Sequence, residues 1–99
     1  DYSGQNENLR YEYGAKVIEV RNDNKVVLEI KNKLSVGDTL EVLIPDSIEN
    51  FSFEIKDLYD IETEERIDTI NPGKKGQQVI INIPCTVEKG YVIRRKKWV

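Results

Sequence analysis

Histidine and methionine are both absent from this 99-residue chain, and cysteine and tryptophan occur once each. Without histidine, the commonest general base, the commonest metal ligand and the usual physiological pH switch are missing together. A single cysteine, Cys85, allows no internal disulfide, so a reducing, cytoplasmic setting is expected. No apolar run approaches the ~18 residues of a membrane-spanning helix, and no signal-peptide core is visible, so no membrane partner is expected. The sequence opens on Asp1, and the expectation is a piece cut from a larger protein.

The usual catalytic constellations are equally scarce. Ser35, Ser47, Ser52 and Cys85 have no histidine to activate them, and there is no G-x-S-x-G elbow. Cys85 follows Pro84 at the end of an apolar run and reads as a small, partly buried side chain. Metal binding would rest on scattered carboxylates alone. The acidic stretch from Asp57 to Asp68 (Asp57, Asp60, Glu62, Glu64, Glu65, Asp68, with Arg66 among them) reads as a solvated hairpin face. Asn71-Pro72-Gly73-Lys74-Lys75-Gly76 has glycines and lysines but not the phosphate-loop spacing. No catalytic, cofactor-binding or metal-binding residue is assigned.

What is present is a run of short β patterns. At 38% hydrophobic and 33% charged residues the chain is globular, and its length suits one domain that buries roughly two-thirds of its unfolded surface. Residues 1–10 read as a linker or disordered end, and residues 11–99 as one domain. From Tyr11 a long alternating strand runs to Val20, with a phase slip near Ala15 to Ile18 where a bulge would switch faces. Asn22-Asp23-Asn24 turns the chain into Lys25–Lys31, with Val26, Leu28 and Ile30 on one face. Ser35-Val36-Gly37-Asp38 is a tight turn feeding Thr39–Ile44, and Pro45 ends that strand. Phe51, Phe53 and Ile55 alternate with polar residues, while Leu58–Ile61 suits either a strand or a helical turn. Glu62 to Arg66 is a hairpin tip, Gln78–Ile83 is a β-rich run ended by Pro84, and Glu88-Lys89-Gly90 turns into Tyr91–Arg95. Nowhere do ten residues hold helical spacing between caps. Strands at intervals of ~8–12 residues predict an all-β fold, a small closed or nearly closed β-barrel of six to eight short strands. Closure would leave such strands no long exposed edge.

Three basic groups remain as candidates for binding: Lys31 with Lys33, Lys74 with Lys75, and the C-terminal run Arg94, Arg95, Lys96, Lys97 beside Trp98. Cations beside an aromatic are what phosphate contact and base stacking require. Each group alone reads as solvated surface, and the binding reading strengthens only where groups share a face. The net charge of −3 demands that any nucleic-acid surface be a segregated basic patch. Exposed aromatics and short edge strands suit peptide capture by strand addition instead.

The order KVVLEIKNKLSVGDTLEVLIP, FSFEIKDLYD, a Pro-Gly loop and QQVIINIPCTVEKGYVIRR resembles the C-terminal domain of the peptidase U32 family, the collagenase-like peptidases. The resemblance is carried by Glu29, Lys31-Asn32-Lys33-Leu34, Gly37-Asp38 and the closing Gly90-Tyr91-Val92-Ile93-Arg94-Arg95, and covers about residues 13–97. Tyr91 stands where the family has Asp, Leu34 where it has Phe, and Lys31 where it has Arg. The resemblance implies a small barrel similar to those of translation factors, serving a catalytic domain upstream in the same chain. It implies a parent that is a peptidase, a hydrolase, or one of the relatives that hydroxylate RNA bases. The expectation is a non-catalytic accessory domain without cofactor, assisting the binding of an RNA such as tRNA or of a protein substrate through Lys31, Lys33, Lys74, Lys75, Arg94 and Arg95. The alternative is a docking or oligomerisation module that never touches substrate.

Overall fold

The computed structural model describes residues 9–22, 24–73 and 77–98. Among them are ten strands and no helix: β1 (Leu9–Val20), β2 (Lys25–Ile30), β3 (Leu34–Ser35), β4 (Thr39–Leu43), β5 (Phe51–Glu54), β6 (Leu58–Asp60), β7 (Arg66–Ile67), β8 (Thr69–Ile70), β9 (Gln78–Asn82) and β10 (Val92–Trp98). Eight form one antiparallel sheet in the order β5-β4-β10-β1-β2-β9-β6-β7, and β3 pairs with β8 as a separate two-stranded piece. The large sheet curls into an open half-barrel whose end strands are β5 and β7. The fold is therefore all-β, as the alternation of short apolar runs predicts. Leu9 and Arg10 belong to β1, and the rest of the expected linker lies outside the described residues.

The core is the concave face. Ala15, Val17, Val26, Leu28, Ile30, Leu40, Val42, Val79, Ile81 and Ile93 project into it from five neighbouring strands and are essentially without solvent contact. Leu58 continues that face on β6 opposite Ile81. Ile55, just after β5, is buried in the same cluster, against which Phe51 and Phe53 pack, so Phe51, Phe53 and Ile55 do share a face. Val27 and Ile80 are the exception. They sit opposite each other on the outer face, with Tyr59 opposite Ile80, and are nonetheless buried. A row of flat β-branched side chains across adjacent strands shields itself, which period-two reasoning from β2 alone does not foresee.

Two irregularities in β1 set everything that follows. The register against β10 shifts between Tyr13 and Ala15, and that against β2 shifts between Val17 and Glu19. The phase slip expected near Ala15 to Ile18 is thus a pair of bulges, one at Gly14 just before that stretch and one at Ile18. Gly14 is the extra residue of the first, and its carbonyl accepts the N–H groups of Lys31 at 2.8 Å and Asn32 at 3.3 Å. The Asn32 side chain adds a bond to the Tyr13 carbonyl at 2.6 Å. Before the bulge, β1 has left β2 and runs beside β10 alone, Leu9 to Tyr13 against Arg94 to Trp98. A two-stranded arm extends from the half-barrel in consequence, rooted at Arg94 and Arg95, which also pair with Glu41 and Leu40 of β4. Leu58–Asp60 is a strand, followed by the turn at Ile61–Thr63, which resolves the choice open at that segment.

Candidate functional site

Because side chains alternate across a strand, the neighbouring arginines of β10 point to opposite faces of the arm. Arg94 lies on the outer face. Its guanidinium bonds Glu41, its cross-strand partner on β4, with Nε 3.0 Å from Oε1, and stacks over the Tyr11 ring at 4.1 Å from the centroid. Tyr13, opposite Arg94 in the register, carries Lys31 over its ring at 5.9 Å. The Lys31 ammonium in turn pairs with Glu29 at 2.6 Å. That hydrogen bond raises the Lys31 pKa and lowers that of Glu29, so both stay charged through the neutral range. Tyr11 and Tyr13 are each 42% exposed, two residues apart, which spaces their rings about 7 Å along the strand. Lys96 is opposite Tyr11, and Lys16 lies between Val92 and Glu29 on the same face. Two tyrosines and four cations therefore share one surface, with Glu29 and Glu41 as its only carboxylates among the residues named.

Arg95 faces the other way. It bridges Glu12 of β1 at 2.5 Å and Asp38 at 3.1 Å, and Asp38 also accepts the Ser35 N–H at 2.8 Å. Burial opposes the guanidinium charge, but the two carboxylates outweigh it and the pKa is raised. This residue ties the arm to the turn before β4. The sequence candidates thus divide. Lys31 and Arg94 meet on the tyrosine face, Arg95 lies on the opposite face, and Lys33 is exposed in the link from β2 to β3. Lys74 and Lys75 lie outside the described residues. In the sequence Tyr11 and Tyr13 are only part of an alternating strand and carry no motif of their own. The signal was there in their two-residue spacing and in the bulge beyond, which keeps both on the face of Arg94.

Cys85 is half-buried against the core, and burial pushes its thiol pKa up. No cluster of three or more metal-ligating side chains occurs among the described residues, and none of their helices could cross a membrane because they contain none.

The fold and the face together define a small antiparallel half-barrel with an aromatic and basic outer surface. More specifically, residues 9–94 match the family model for the peptidase family U32 C-terminal domain, and the chain belongs to that family. Two solved structures resemble it, both of the C-terminal domain of a Geobacillus thermoleovorans protein named as a candidate U32 peptidase. The selenomethionine variant is 22% identical, with a TM-score of 0.72, covering 84% of this chain and 98% of the other. The second is 22% identical, with a TM-score of 0.73, covering 85% and 91%. At that identity the likeness speaks for the fold. No curated protein matches the chain.

Proposed function

We propose that this domain is a non-catalytic accessory module that helps a U32-type parent hold its substrate in a cytoplasmic setting, and that the substrate it meets is RNA. The observation that carries the reading is the pair Tyr11 and Tyr13 on one outer face, each with a cation beside its ring. Exposed aromatics with neighbouring positive charge suit base stacking and phosphate contact together. The charge also segregates as an acidic binder needs: Lys16, Lys31, Arg94 and Lys96 share the tyrosine face against Glu29 and Glu41, in a chain of net charge −3. Docking on another domain of the parent is the second reading. Ile48 supports it, because its side chain is wholly exposed on a turn fixed by Ser47 and Asn50.

Fluorescence anisotropy with bulk tRNA at two salt concentrations separates the two. RNA recognition predicts salt-sensitive binding that Tyr11→Ala or Tyr13→Ala weakens by about 1–3 kcal/mol. Ile48→Ser leaves it unchanged. Absence of binding at low salt removes the RNA reading for this domain acting alone.

A further inference from the structure

The large sheet has two end strands, and only one is protected. β7 is two residues long and follows Glu64 and Glu65, a short charged edge that discourages pairing. β5, Phe51–Glu54, holds no proline, lysine or bulge, and among the described residues no strand pairs with its outer side. The directions of its backbone groups follow from Ile55. The Ile55 N–H donates to the Asp38 carbonyl and its carbonyl accepts the Gly37 N–H, both at 2.8 Å, so Ile55 bonds toward the β4 side. With a period of two, Phe53 does the same, and Ser52 and Glu54 turn their N–H and C=O groups to the open side.

Beside this edge lie an apolar surface and unbalanced charge. The Phe51 and Phe53 rings stack with centroids 6.1 Å apart and are half-buried against the core. At the Glu54 end the edge opens on a groove of about 370 Å³ between β5 and the exit of β9, lined by Phe53, Glu54, Lys56, Asn82, Ile83 and Pro84. Glu54 is exposed and makes no ion pair among the described residues, and Asp57 lines the same groove. Carboxylates thus outnumber Lys56 along this side.

We infer that the free edge of β5 takes an extended peptide of another protein by strand addition. Its backbone bonds Ser52 and Glu54, an apolar side chain enters the groove beside Phe53, Ile83 and Pro84, and a lysine or arginine meets Glu54. A second copy of this chain is the poorer partner, because pairing two β5 edges sets Glu49 and Glu54 of each copy near those of the other. The tyrosines lie on β1, three strands from β5, and the tyrosine face reaches β4 only at Glu41, which Arg94 pairs.

Amide hydrogen exchange on the full chain tests it, with a blocked peptide of alternating lysine and valine as the probe. Saturating peptide is expected to slow exchange at Ser52 and Glu54 by about two- to tenfold, one hydrogen bond's worth, while Phe53, already bonded to β4, changes less. The same peptide N-methylated at alternate amides leaves exchange unchanged. Glu54→Lys, checked for fold by the protection of Phe53, weakens binding by about two- to fivefold. Unaltered exchange at millimolar peptide overturns the inference, as does equal binding of the N-methylated peptide. Slowing that depends on protein concentration without peptide overturns it in favour of a second copy.

Discussion

Arg94 and Arg95 are adjacent in sequence and separated by the plane of a strand, and the difference decides what each can do. The Arg95 side chain is 24% exposed and neutralises two carboxylates at once, Glu12 and Asp38. Replacing it with alanine leaves both without their cation, an expected loss of about 1–3 kcal/mol in urea unfolding. Arg94→Ala removes one ion pair at a more open position and is expected to cost less stability but to weaken RNA binding. A reversed ranking in the unfolding midpoints would show that the outer-face pair is the structural one. Asp60 supplies a second residue-scale expectation. Its Oδ1 accepts the N–H groups of Thr63 at 3.0 Å and Glu62 at 2.8 Å, and those bonds lower its pKa below the ordinary 3.8. A carboxyl whose pKa falls on folding stabilises the native state above its unfolded value and loses that contribution as pH drops through the folded value. The stability gap between the native chain and Asp60→Ala is therefore expected to be full at pH 7 and to close below about pH 4.

At the scale of elements, two strand entries share a construction. Gly37 before β4 and Gly90 before β10 both have φ of +99°, and the strands they launch lie side by side, Leu43 opposite Val92. A Cβ at Gly90 would meet no atom within 4 Å, so any cost of Gly90→Ala comes from the backbone conformation and not from crowding. About 1–2 kcal/mol of destabilisation is expected by thermal or urea unfolding, with the spectrum of the folded state preserved. These turns were legible in sequence because glycine beside Asp or Lys before an apolar strand has few other uses. The β1–β2 hairpin and the shared face of Phe51, Phe53 and Ile55 were legible by alternation. The pair β3 and β8 was not. Each is two residues long, too short for any period to register, and it depends on Leu34 and Ile70 meeting across the chain. The arm escaped notice for a related reason. Its length follows from where β1 leaves β2, and that is a bulge decision, written in Gly14 and Asn32 together rather than in either strand. The residues behind the family resemblance prove largely to be such joints: Asn32 clamps the bulge, Leu34 is buried, and Asp38 receives Arg95.

For the molecule as a whole, the question is whether a chain of net charge −3 binds a polyanion through one surface or is repelled by the rest. The cations of the arm lie on the central strands β1 and β10, while Asp60, Glu62, Glu64 and Glu65 cluster at the far end of the sheet around β6 and β7. Contacts made by the arm release counterions locally, about 0.7 per phosphate neutralised on a single strand, and this number sets the slope of affinity against salt. Distant acids alter the long-range field but make no contact. Reversing Glu62, Glu64 and Glu65 to lysine adds two charges at each site and carries the formal net charge from −3 to +3. RNA affinity at low salt is then expected to rise modestly through the field, with an unchanged log–log salt slope, whereas Lys96→Ala with Arg94→Ala is expected to flatten the slope by about 1.4. Titrations of the native chain and both variants across salt make the comparison. A slope that steepens with the triple reversal would mean that phosphates contact the β6–β7 end, and that net charge rather than the tyrosine face governs binding.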